Sequence, residues 1–229
     1  MKGTLHIIQN DPEVPPGNLI EHLPIPHVVH HPYRDGHLPS PEQIAALIVL
    51  GGAMGANDDL KHPFLTGLKD LIRTAVSARI PYLGICLGGQ LLAASMGAQV
   101  VSNRWEERGT LTVSLRNEGK EDHLFNGILQ EFSTFQWHND SFDISEGAVL
   151  LASSAACPHQ AFRIGDSAWG VQFHPEVTEE IIRDWCSLKR SMSLHAEELL
   201  ASFRAESGSY HATAARLMKN FLSSAKLLP

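Results

Sequence analysis

The sequence predicts an α/β fold: one doubly wound, mostly parallel sheet with helices on both faces, continued by a C-terminal helical extension. Three observations carry that expectation. The apolar run at residues 46–50 is continuous and stops at Gly51-Gly52, the pattern of a strand buried on both faces. Residues 64–78 place Leu65, Leu68, Leu71, Ile72 and Ala75 on one helical stripe. A second buried-strand run at residues 81–86 follows at once, and this β-α-β order favours parallel strands.

The remaining elements follow in chain order. Residues 5–9 read as a first strand, and residues 18–23 as a short amphipathic helix after Pro15-Pro16-Gly17. Beyond the strand at 81–86, residues 91–96 continue a helix that Gly97 closes. The middle of the chain changes character, with strand-like runs at 109–116, 132–137, 149–152 and 160–164 separated by turn residues. Residues 169–173 return as a strand that Pro175 breaks, the pattern is helical from Thr178, and 191–228 form a helical tail. No repeat, low-complexity tract or linker divides the chain, so a single domain over 1–190 with an extension over 191–229 packed upon it is expected.

Composition narrows the function classes. With 229 residues, 43% hydrophobic and 19% charged, the chain has enough apolar material for its own core. A formal charge of −7 argues against a general nucleic-acid binder. Cys86, Cys157 and Cys186 are odd in number and widely spaced, which is neither a disulfide framework nor a zinc knuckle, and a reducing cytoplasm is the expected compartment. The opening Met-Lys-Gly-Thr-Leu-His-Ile-Ile is too short an apolar run for a signal peptide, and no stretch reaches the ~20 apolar residues of a membrane span. A soluble protein with no membrane partner and no cofactor is expected. His22, His27, His30, His31 and His37 crowd a proline-rich early segment at spacings that match no metal motif, and read as solvated loop histidines. Arg104, Trp105, Glu106 and Glu107 read as an ordinary surface loop.

Two short segments carry chemistry. In Gly84-Ile85-Cys86-Leu87-Gly88-Gly89-Gln90 a buried strand arrives at Cys86 and a helix leaves just after it. Glycines two before and two after allow a sharp turn, as in a nucleophile elbow with sulfur in place of oxygen. A thiol at a helix N-terminus feels partial positive charge, which favours the thiolate. The Leu87 amide would face a developing oxyanion. Cys157 and Cys186 lack flanking glycines and read as small buried hydrophobes. In Gln172-Phe173-His174-Pro175-Glu176, the proline stops the strand and leaves His174 at the sheet edge. Glu176 can accept a hydrogen bond from the second ring nitrogen, which is the nucleophile–base–orienter logic of acyl transfer.

These segments resemble the class I, triad-type glutamine amidotransferases, and the likeness covers most of the chain. Cys86 with its glycines and Gln90 is similar to the family's nucleophile motif, and His174-Pro175-Glu176 to its His-x-Glu signature. Leu50-Gly51-Gly52 corresponds to the glycine-rich oxyanion strand end, so the resemblance implies oxyanion donors at Gly52 and Leu87. Gln136-Trp137-His138-Asn139-Asp140 resembles the Ser-His-Gly-Asp stretch of GMP synthase amidotransferase domains. That implies substrate contacts at Trp137 and His138, with Gln90 opposite; a solvated turn is the alternative for His138 and Asp140. Trp137 stands where the family has a small residue, and the loop after Gly52 lacks a proline common in GMP synthases. The nearest likeness is to stand-alone GMP synthase-like members. The fold it implies is a flavodoxin-like sheet, with the amidotransferase domain over 1–190.

The implied activity is hydrolysis of the glutamine side-chain amide through a Cys86 γ-glutamyl thioester, with ammonia passed to a separate synthetase. Neither a Gly-x4-Gly-Lys-[Ser/Thr] loop nor a Ser-Gly-Gly-x-Asp-Ser loop is present, so no acceptor-activating function is expected on this chain. A γ-glutamyl peptidase acting on γ-glutamyl peptides or amines would use the same Cys86, His174 and Glu176. A non-catalytic binding relative would usually lose the cysteine or histidine, and this chain keeps both.

Overall fold

Strand alternation explains how the sheet is covered. The computed structural model describes residues 4–188 and 194–228. Strand β1 (Thr4–Ile8) is followed by β2 (His27–His30), the short helix α1 (Pro32–Asp35) and β3 (Ile44–Val49). Helix α2 (Phe64–Ser77), β4 (Tyr82–Ile85), α3 (Leu87–Ser95) and β5 (Val100–Val101) come next. Then come β6 (Glu107–Leu115), α4 (Asn117–Lys120), β7 (Glu131–His138), β8 (Ser141–Phe142), β9 (Val149–Ser153), β10 (Ala161–Ile164) and β11 (Ala168–Val171). Among the described residues, helices α5 (Glu179–Ser187) and α6 (Ala196–Ser224) follow.

Nine strands form one sheet in the order β2-β1-β3-β4-β11-β10-β9-β6-β7. From β2 to β11 every pairing is parallel, and from β11 to β7 every pairing is antiparallel. Side chains of successive strand residues point to opposite faces. Leu5, Ile7, Ala46 and Ile48 therefore enter one core with Leu217, Met218, Phe221 and Leu222 of α6. Ile8, Leu47 and Val49 enter the other, with Leu65, Leu68 and Ile72 of α2 and Leu91 and Leu92 of α3. A third apolar cluster joins Phe135 of β7 to Ile181 and Trp185 of α5 and to Phe203 and Tyr210 of α6.

Most of the expected elements fall within a residue or two of the observed ones. Gly97, at φ +85°, follows α3 in the left-handed conformation of a helix stop, and Thr178 caps α5 by accepting a hydrogen bond from the Ile181 amide. The early histidines depart from expectation. His27 and His30 belong to the edge strand β2, and His30 Nε2 lies 2.8 Å from His6 Nδ1 of β1 with the rings stacked. A His-Val-Val-His run is too polar to read as a strand, but at the sheet edge one face needs little apolar cover. The expected boundary at 190/191 and the first residues of the expected tail, 191–193, lie outside the described residues. Among the described residues no helix is long and apolar enough to cross a membrane.

Candidate active site

The elbow follows from packing of backbone on backbone. Cys86 adopts φ +49° and ψ −106°, a conformation L residues avoid, between the end of β4 and the first residue of α3. A Cβ on Gly84 would lie 2.4 Å from the Gly88 carbonyl, and one on Gly88 would lie 2.0 Å from the Val49 carbonyl oxygen. Glycine is thus required on both sides, since α3 sits directly against β3 and β4. The Cys86 amide donates to Val171 O at 2.8 Å, and the Tyr82 hydroxyl donates to Gly88 O at 2.8 Å, pinning both ends of the turn. Gln172 Nε2 reaches to 3.6 Å of the Cys86 sulfur.

His174 lies just beyond β11. Its amide donates to Phe135 O at 2.8 Å, a single antiparallel bridge to β7, and Pro175 prevents any further ladder. His174 Nδ1 and Glu176 Oε1 are 2.6 Å apart, both side chains buried. The carboxylate only accepts, so Nδ1 carries a proton. Nε2 meets no strict hydrogen-bond geometry among the described residues, but the Cys86 sulfur is near enough for its charge and hydrogen bonding to act on the ring. Burial opposes the charged imidazole most, yet Glu176 and Cys86 together outweigh it and raise the His174 pKa to about 10.

The turn that carries His174 is clamped from two sides. The Tyr210 hydroxyl of α6 donates to His174 O at 3.0 Å and accepts from the Val177 amide at 2.7 Å. The Asn18 amide donates to Glu176 O at 2.9 Å, where a Cβ on Gly17 would come within 1.9 Å of the same oxygen. Trp185 stacks edge-on to His174 with centroids 5.0 Å apart, and its indole N–H donates to Glu13 O at 2.6 Å.

Cys86, Gly52, Gln90, Trp137, His138 and His174 all border one cavity of about 230 Å3. Glu176 stands beside His174, fully buried, and Leu87, also buried, is the first residue of α3 directly after Cys86. Gln90 Nε2 donates to Asp140 O at 3.2 Å, and His138 Nδ1 lies 3.1 Å from the same oxygen. His138 ends β7 and is buried, so the solvated-turn reading is wrong for it; a buried carboxylate beyond the ring takes its other nitrogen. That carboxylate belongs to Glu107, expected on a surface loop and in fact the buried first residue of β6. Arg104 and Trp105 do lie in the loop before it, the guanidinium 4.1 Å above the indole.

Sequence reasoning missed Gln172, Tyr210 and Trp185 as parts of the site or its support, and also Arg108, which borders the cavity with its guanidinium 5.9 Å from the Trp137 ring centre. Gln172 lay within the quoted histidine motif, whereas nothing local marks Tyr210, which arrives from 36 residues further on. Cys157 and Cys186 are buried as expected, and burial raises both thiol pKa values. Among the described residues Glu107, His138 and Cys157 form the one cluster with a metal-ligand composition. Hydrogen bonds to protein groups already engage all three side chains.

Fold and site define a class: an α/β protein with a cysteine, a histidine and a glutamate gathered at the carboxyl ends of parallel strands. The family model for glutamine amidotransferase class-I matches residues 26–183, and the chain belongs to that family. Over 147 residues it is 31% identical to YfeJ of Salmonella typhimurium, a glutamine amidotransferase-like protein, covering 63% of this chain and 62% of that one. It thus spans less than two thirds of that relative. Over 156 residues it is 32% identical to one subunit of the glutamine-hydrolysing GMP synthase of Methanocaldococcus jannaschii, covering 65% of this chain and 76% of that relative. A glutamine amidotransferase from Thermotoga maritima superposes with a TM-score of 0.87 at 26% identity, covering 97% of this chain and 99% of that one. One from Methylobacillus flagellatus gives 0.86 at 28%, covering 98% and 95%.

Proposed function

We propose that this chain hydrolyses the side-chain amide of glutamine and delivers the ammonia to a separate acceptor enzyme. The observation that carries this reading is the strained Cys86 sharing one cavity with a His174 already paired to Glu176 at 2.6 Å. In the proposed reaction the Cys86 sulfur attacks the amide carbon, and the amides of Gly52 and Leu87 face the oxyanion. His174 protonates the departing nitrogen, ammonia leaves, and a γ-glutamyl thioester remains on Cys86. Water then adds to the thioester, His174 taking its proton and returning one to the sulfur as glutamate leaves. Glu176 orients the imidazole and balances its charge. Trp137, His138 and Gln90 form the walls around the amino-acid end of the substrate.

A separate acceptor is supported by the relative whose name makes it one part of a glutamine-hydrolysing synthase. We read residues 1–190 as the amidotransferase domain and 191–229 as an extension held against it through α6, and we place the protein in the cytoplasm. A second reading, a γ-glutamyl peptidase, is favoured by the apolar side of the cavity, where Trp137, Trp185 and Leu188 could receive an amine or peptide leaving group. Steady-state kinetics of the purified chain on glutamine and on γ-glutamyl dipeptides separates the two. The proposal expects weak glutamine turnover that an acceptor partner stimulates. A dipeptide kcat/KM well above that for glutamine, with no response to any partner, overturns it in favour of the peptidase.

A further inference from the structure

Glu107 is a buried carboxylate that the reaction above does not use. It gathers three polar side chains. The Ser154 hydroxyl lies 2.7 Å from Oε1, while Gln160 Nε2 at 2.5 Å and His138 Nε2 at 3.2 Å share Oε2. The Ser154 oxygen itself accepts from the Cys157 amide, and Gln160 Oε1 accepts from Gln136 Nε2 at 2.8 Å. The two donors, Ser154 and Gln160, favour the ionised form of the carboxyl group.

The opposite edge of the His138 ring faces the Asp140 carbonyl oxygen, which can only accept. Nδ1 therefore carries a proton, and an ionised Glu107 on the other side would draw a second one to Nε2. We infer that Glu107 is a positioning residue that keeps His138 as an imidazolium, and that this buried ion pair sets the wall formed by Trp137 to Asp140. Both partners are buried, so the pair is little screened by water.

The wall is tied to the nucleophile. Asp140 O receives His138 and Gln90 together, Gln90 Nε2 lies 3.4 Å from Gln172 Oε1, and Gln172 Nε2 reaches the Cys86 sulfur. His138 borders the cavity and Glu107 does not, so the proposed positive end of the pair is the one nearer the cavity. A free amino acid or γ-glutamyl compound brings an α-carboxylate that such an end favours. In that respect the inference rests on the glutamine or γ-glutamyl reading given above.

The full chain, labelled with 15N-histidine, tests it, the His138 signals being assigned by their loss in His138→Gln. At neutral pH both His138 nitrogens of the wild type should show imidazolium shifts, and Glu107→Gln should turn the ring neutral. The same variant should raise KM for glutamine by about tenfold and leave kcat within about twofold. A neutral, single-tautomer His138 in the wild type overturns the inference, as does a folded Glu107→Gln whose KM is unchanged or whose loss falls on kcat alone. If Glu107→Gln does not fold, the wild-type spectrum decides. If the wild type turns over neither glutamine nor γ-glutamyl dipeptides, the proposed function fails, while the spectrum still decides the charge of His138.

Discussion

Cys86 occupies a backbone region that costs an L residue on the order of 1–3 kcal/mol, and its neighbours hold it there. Gly84 and Gly88 let β3, β4 and α3 close in until no Cβ fits, and the thiol is turned towards the cavity instead of into the sheet. Roles at this scale can be ordered by substitution. His174→Ala should lower kcat on the order of 10³-fold or more, close to Cys86→Ala, while Glu176→Gln should be milder by at least about tenfold. Acylation rates measured by rapid quench check the order, and a Glu176 variant worse than the His174 variant contradicts it. Stability carries a second signature of the same group. Because Glu176 and Cys86 raise the His174 pKa from 6.5 to about 10 against the pull of burial, its protonation stabilises the folded chain. That contribution is complete below the unfolded value and fades as pH rises through the folded one. The difference in unfolding free energy between wild type and His174→Gln should therefore shrink from about pH 6.5 to about pH 10. Denaturant melts across that window measure it, and a flat difference removes the assigned cause.

Among the elements, those nearest Cys86 were the most legible. Continuous apolar runs mark β3 and β4 because both faces of these strands are buried, and a clear stripe marks α2 because one face meets the sheet. The parallel strands, the elbow and the His-Pro-Glu turn could all be placed from local pattern. What escaped depends on distance along the chain. β2 is polar because it lies at an edge. Glu107 looked like a loop charge because its partners Ser154, Gln160 and His138 come from 31 or more residues away. Tyr210 looked like one more residue of a helical tail. Yet α6 supplies the hydroxyl that pairs the two backbone groups Pro175 leaves without a ladder. Tyr210→Phe keeps the ring packing and removes only that oxygen. It should cost about 1–3 kcal/mol of stability and lower kcat more than it changes KM, because it loosens the turn that carries His174. Thermal melts with steady-state kinetics check both parts; an unchanged kcat would make α6 a matter of stability alone.

The whole molecule divides its labour across one sheet. The parallel half brings Gly52, Cys86 and His174 to a common edge, and the antiparallel half brings Trp137 and His138 across from them. Helices α2 and α3 cover one face, and α6 covers the other while also touching the turn that carries His174. Everything proposed for this arrangement requires that Cys86 become covalently bound to the substrate's acyl group. Rapid acid quench during turnover of glutamine or a γ-glutamyl dipeptide, followed by mass spectrometry of the peptides, tests that most directly. The account predicts a γ-glutamyl group on Cys86, absent in Cys86→Ser and formed far more slowly in His174→Ala, because His174 serves the acylation step as well as the attack of water. Turnover that leaves Cys86 unmodified, or places the adduct on Cys157 or Cys186, would contradict it.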